Sequence, residues 1–424
     1  MNGSPNPSPA PKTRLEYIDL VRGLAVVFMI LWHTADSWIR DDLRSTATFT
    51  SLRLLGGLAA PFFLLLAGVS LGMKHATEIE RATPTAYAVR SNVGRGLEVW
   101  VIGYLLRLQM WTIDSGGIRH LYGLRVWPPI LVALCIGIWA SRKLGKEPRR
   151  AAIAFACAAP LFAFGIWQVT IVDPTRLVGL VRVDVLQAIG ASLVVVSLAS
   201  PLIGTRAGIS LAIGIVVAFA TPLAAKLVPG PLPAPIAAYL AQWPPPPGGR
   251  VVALFPLFPW LSYVFIGRSL GLWWHAGARE QRLMRLLLIQ GVFGALLAIA
   301  TNESIAYHLG YLNEWPWLTA PVRVASRVGA GLAASLIMFE VAKRNFTFLN
   351  PLRTLGTASL LVYFVHLEFA YGLLSLTFRK KLSLMTWGIG FISLTILMFY
   401  FVEFRRGPYA RWLDRTLSKF RKSS

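Results

Sequence analysis

The chain has 424 residues, of which 55% are hydrophobic and only 14% charged, and its mean hydropathy is +0.57. A soluble domain is about 45–50% apolar and about 25% charged, so a large soluble domain is excluded and most of the chain belongs in a bilayer. The net charge of +23 does not point to nucleic acid, because the cations cluster in short loops between apolar runs, the positive-inside pattern, and not on a folded soluble surface.

Residues 1–13 are rich in Pro and Ser, lack an apolar run, and read as a disordered cytoplasmic tail. The first apolar stretch, about 18–39, is too long for a signal sequence and reads as a retained anchor. Further spans are predicted near 52–73, 96–113, 126–141, 151–172, 185–203, 207–228, 251–273, 284–301, 318–341, 354–377 and 384–403. The fold class expected is all-α, a polytopic membrane helix bundle of about 12 (10–12) transmembrane helices. Residues 14–404 form one membrane domain, and 405–424 a basic cytoplasmic tail. The basic segments 74–95, 142–150, 279–285 and 343–344 fall on the side of both termini, which places those termini in the cytoplasm of a bacterial inner membrane. Arg379, Lys380 and Lys381 run against this pattern, and Pro128–Pro129 at the start of the fourth span would suit a re-entrant segment. Two outer loops are long: 228–250 is Pro-rich, and 302–317 carries Glu303, His308, Glu314 and aromatics.

The first span concentrates the ionisable residues Asp19, Arg22, His33 and Asp36, each costly inside a bilayer and therefore a functional hypothesis. Arg22 and His33 are eleven residues apart, which is three helical turns plus about 20°, so they share a face about 16 Å apart along the axis. One helix would then serve a phosphate at the membrane edge and a reacting atom well inside. Coenzyme A has that shape, with charged nucleotide phosphates, a long pantetheine arm and a distal thioester. Arg suits the phosphates through bidentate, charge-assisted hydrogen bonds. Asp36, one turn beyond His33, is expected to accept a ring proton and orient the imidazole as a base; the alternative is a structural pair between helices.

The block Arg14–Trp38 (RLEYIDLVRGLAVVFMILWHTADSW) resembles the transmembrane acyltransferase superfamily, and most closely the bacterial relatives of the heparan-α-glucosaminide N-acetyltransferase catalytic region. Similar blocks follow in the family's order at Gly56–Gly72, Val181–Gly190, Leu254–Gly271 and Pro351–His366. The resemblance implies a membrane acyltransferase that uses cytoplasmic acyl-CoA, often acetyl-CoA, as co-substrate to modify a carbohydrate hydroxyl or amine on or across the membrane. It implies His33 as the catalytic histidine, acting as general base or through an acyl-imidazole, with Arg22 completing an Arg-x10-His pattern. Residues 113–175 depart from the family's spacing and read as an inserted hairpin.

Among the other polar residues, Arg90 and Arg95 before the third span are candidates for the CoA phosphates. Asp184, Gln187, Arg323, Arg327 and His366 are candidates for the substrate cavity. Arg107 and Gln109 read as snorkelling residues, and His75, His120, His275 and His308 as loop residues. Cys135 and Cys157 lack ligand spacing, and no His/Asp/Glu cluster implies a metal. The rival reading is a secondary transporter, disfavoured because the two halves show no repeat; a non-catalytic protein retaining the fold is the third.

Overall fold

A computed structural model describes residues 16–114, 123–172, 174–228, 232, 234–241, 253–276, 280–301, 319–344 and 346–409. The segment 302–317, most of 228–250, His120, and the tails at 1–13 and 410–424 lie outside the described residues. Among the described residues the regular elements are helical, with three isolated β-bridges between loop segments and helix ends. The longer helices are α1 (Glu16–Trp38), α2 (Ala47–Gly56), α3 (Ala59–Glu80), α4 (Thr85–Asp114), α5 (Gly123–Lys143), α6 (Pro148–Val172), α7 (Pro174–Val181), α8 (Val185–Ile203) and α9 (Ala207–Leu227). They continue as α10 (Ala234–Leu240), α11 (Leu257–Ala276), α12 (Glu280–Ala300), α13 (Thr319–Lys343), α14 (Asn350–Thr357), α15 (Ser359–Ala370) and α16 (Leu384–Phe404).

Each predicted span coincides with one of these helices or a helix pair, and eight of them are long and apolar enough to cross a membrane. The fourth span is the continuous helix α5, with both prolines inside the helix in its second turn. The eleventh is not continuous. At Ala358 the backbone leaves the helical region (φ −115°, ψ 21°), which divides it into α14 and α15.

In a bilayer, helices gain little from hydrophobic exclusion and associate where small residues let backbones approach. Gly68 and Gly72 on α3 face Gly267 and Gly271 on α11. A Cβ at any of the four would lie 2.1–2.3 Å from a carbonyl oxygen of the other helix. Gly96 on α4 and Gly190 on α8 make a second close approach of this kind.

Helix α1 packs against α2, α3, α13, α14, α15 and α16, and its apolar face belongs to the main core cluster. The hairpin α5–α6 packs on the far side of α4 in a separate cluster built on Val101, Tyr104, Leu108, Ile130 and Leu134. His75, expected in a loop, lies within α3, and His275 lies in the last turn of α11, where its Nε2 is 2.8 Å from Glu80 Oε1.

Candidate active site

Helix α1 carries two polar stations. At the first, Arg22 Nη1 donates to Asp19 Oδ1 one turn earlier (3.2 Å) and Nη2 to Ser70 Oγ on α3 (3.3 Å). At the second, His33 Nδ1 lies 2.8 Å from His366 Nε2 on α15, with the two rings nearly parallel and their centroids 5.1 Å apart. His366 is fully buried, and its Nδ1 lies 2.8 Å from the Val362 carbonyl oxygen one turn back.

These contacts allocate the protons. A carbonyl oxygen only accepts, so His366 Nδ1 carries the hydrogen. Neutral His366 then accepts at Nε2, and His33 Nδ1–H donates to it. His33 Nε2 is left with its lone pair, the arrangement a general base needs.

The orienting contact expected from Asp36 is therefore made by His366. Asp36 instead accepts from Tyr371 Oη (2.8 Å), and Arg44 approaches both its carboxylate (3.5 Å) and its backbone carbonyl. His33 is also flanked edge-on by Tyr363 and Tyr371.

Two cavities reach these stations from opposite ends of the bundle. The first, about 750 Å³, is lined near its mouth by Arg22, Lys74, Arg95, Arg142 and Arg405, and deeper by apolar residues including Val99, Ile102, Leu186 and Ile189. No Asp or Glu is among the described residues that line it. Arg95 and Arg142 are held in place by Glu98 behind the wall, each at 2.7 Å. The wall also includes Gly356–Leu361, so the first turn of α15, which has no side-chain cap, opens onto the cavity.

The second cavity, about 700 Å³, is lined by His33, Asp36, Arg107, Arg182, Asp184, Arg327 and Arg379, with Trp32, Trp260 and Tyr371 among its aromatics. Its four arginines face two carboxylates. Arg107 donates to Asp184 Oδ2 (2.9 Å) and to the Gly179 carbonyl, so it is turned inward and is not snorkelling. Arg327 lies over the Trp260 ring, and Arg379 donates to the Tyr371 carbonyl.

Several sequence candidates are placed elsewhere. Gln187 closes a capping box with Asp184 at the start of α8 and lines neither cavity. Arg90 and Arg323 are also absent from both linings, and His366 stands behind His33 instead of on the wall.

The sequence reading missed Arg44, Arg182, Tyr371 and Arg379. Only Arg182 had a signal, its place two residues before Asp184; in the structure Val183 forms a β-bridge with Ala253, so the segment is extended and residues 182 and 184 point the same way.

The family model for heparan-alpha-glucosaminide N-acetyltransferase, catalytic, matches residues 14–311. The chain belongs to this family. It is therefore a membrane acetyltransferase-like protein, and the family supplies acetyl-CoA as the co-substrate its members use. The match takes in α1 to α12, with Arg22, His33, Arg95 and Asp184; His366, Arg327 and Arg379 come from the chain beyond it. No curated protein matches the chain closely enough to add to this.

Proposed function

We propose that the protein moves an acetyl group from cytoplasmic acetyl-CoA to a hydroxyl or amine of a carbohydrate presented at the opposite end of the bundle, with His33 as general base. The observation that carries this reading is the first cavity. It presents five cations and, beyond them, an apolar throat whose Phe63, Val185 and Tyr363 also line the cavity that holds His33. A ligand suited to it has several phosphates at one end and a long neutral arm at the other, as CoA does. Arg22, Lys74, Arg95, Arg142 and Arg405 would take the phosphates, and the throat the pantetheine. The end of the chain that holds these cations is then the cytoplasmic one, in keeping with the positive-inside rule and a bacterial inner membrane.

In the reaction, His33 Nε2 removes the proton from the acceptor O–H or N–H as that atom attacks the thioester carbonyl. The C–S bond breaks, and the resulting imidazolium returns the proton to the CoA sulfur, leaving acetylated acceptor and free thiol. His366 holds the imidazole through Nδ1 before transfer and stabilises the imidazolium during it. Asp36, bound to Tyr371 and Arg44, shapes the acceptor side of the pocket. The excess of arginine there, together with Trp32 and Trp260, suits a carbohydrate bearing negative charge.

The test is a binding measurement on purified protein. Arg22→Ala should weaken CoA by about tenfold or more, the loss of one charge-assisted hydrogen-bonding group, and leave pantetheine, which lacks the nucleotide, bound as in the parent. A parent that binds neither CoA nor acetyl-CoA, or an Arg22→Ala protein that loses both ligands equally, overturns the donor assignment.

A further inference from the structure

The two cavities share three wall residues: Phe63 on α3, Val185 at the start of α8 and Tyr363 on α15. Arg22 belongs only to the first cavity and His33 only to the second. The same helices serve both from opposite ends. Helix α4 gives residues 92–105 to one and 106–110 to the other, and α3 gives residues 67–74 and 59–60. The two cavities therefore meet at one layer of side chains.

That layer is apolar where it matters. Val185 is fixed by its place just inside the capping box of α8, and Tyr363 is packed edge-on against both His33 and His366. Phe63, half-buried, is held less tightly. A hydrophobic constriction of this kind blocks water and ions by dewetting. Yet a donor in the first cavity reaches His33 only by passing it. We propose that Phe63, Val185 and Tyr363 form a gate that keeps the membrane sealed at rest and is opened by the arm of the acyl donor, which then plugs the gap it makes. Rotation of the Phe63 and Tyr363 rings opens the aperture, while Val185 stays in place.

The charges on either side fix what an open gate would conduct. Five cations line one cavity, four of them paired with Asp19, Glu78 or Glu98 behind its wall, and four arginines against two aspartates line the other, so positive charge is in excess in both. Such walls repel cations and admit anions. A breached gate should therefore pass chloride in preference to potassium.

The seal itself does not depend on the proposed function, whereas the plugging arm does, and the experiment separates them. Full-length parent, Tyr363→Ala, Phe63→Ala and Tyr363→Phe proteins are reconstituted into liposomes, and chloride and potassium efflux are measured with and without CoA on both sides. The parent and Tyr363→Phe, which keeps the ring, should be tight. Tyr363→Ala and Phe63→Ala should raise chloride efflux by about an order of magnitude or more over potassium, and CoA should suppress it. Chloride leak that CoA leaves unchanged supports the gate and overturns the donor assignment of the first cavity. Alanine variants that are monodisperse, bind CoA and remain as tight as the parent overturn the gate, as does a parent that leaks unaided.

Discussion

His33 has one nitrogen to anchor and one to use, and the identity of the anchor decides what its neighbours do. A buried His366 accepting from Nδ1 fixes the tautomer without placing a second charge beside the reacting centre, whereas the carboxylate of Asp36 is engaged by Tyr371 and Arg44. His366→Ala should therefore lower kcat by about 10²-fold or more, the usual scale of general-base assistance, with KM for acetyl-CoA little changed. His366→Gln should recover part of the loss, because an amide can accept from His33 and still donate to the Val362 carbonyl. Asp36→Asn should act mainly on KM for the acceptor. Steady-state kinetics of the three variants check this, and a larger kcat loss for Asp36→Asn than for His366→Ala would return the orienting role to Asp36. At this scale the sequence shows the stations on α1, because charges in an apolar run stand out. It does not show the partner of His33, which lies 333 residues away in the chain. Helical spacing favours a neighbour such as Asp36, and only the packing of α15 brings His366 closer to Nδ1.

What brings His366 there is a crossing of backbones. On α1, a Cβ at Gly23 would lie 2.0 Å from the Leu352 carbonyl oxygen, and on α14 a Cβ at Gly356 would lie 1.9 Å from the Asp19 carbonyl oxygen. Helix α14 is thereby seated on α1 before the chain breaks at Ala358 and turns up as α15 toward His33. Gly to Ala inside a helix normally gains up to about 1 kcal/mol of propensity. Overpacking costs about 1–3 kcal/mol, and a carbonyl oxygen, unlike a side-chain tip, cannot rotate away. Gly23→Ala should thus lower thermal stability and activity together, while Gly388→Ala on α16, where nothing lies within 4 Å of the added carbon, should leave both intact. Thermal melts in detergent beside turnover rates test this; equal behaviour of the two variants would remove the crossing as the device that sets the site. Hydropathy marks the extent of this region but not its break, since residues 354–377 contain no proline and no long polar run. The interruption is imposed by contact with α1, which a local reading does not contain.

Over the whole molecule, the helix directions carry one end of the bundle from Arg22 through Lys74, Arg142 and Lys343 to Arg405, and the opposite end through Asp36, Asp184 and Arg379. The apolar spans and the basic loops between them were legible because composition alone separates them. The cluster Arg379–Lys380–Lys381, which opposes the charge rule, was not. The structure accounts for it: Lys380 pairs with Asp41 at 3.2 Å, the backbone of Lys380 and Lys381 hydrogen-bonds to Ser37 and Trp38, and Arg379 lines the second cavity. These cations are engaged with the end of α1 and the site, so their charge does not mark a cytoplasmic loop. Between the loop after α5 and the segment before α16 lie α6, α8, α9, α11, α12, α13 and the α14–α15 pair; seven crossings would put the two segments on opposite faces. In a background with Cys135 and Cys157 replaced by Ala, Lys146→Cys and Lys381→Cys, both at exposed positions, should react with a membrane-impermeant thiol reagent from opposite sides, Lys146→Cys from the cytoplasm. Labelling of both from one side would mean that one of these helices does not cross. Labelling of Lys146→Cys from outside would invert the bundle and put the cation-lined cavity where no cytoplasmic acetyl-CoA could enter it.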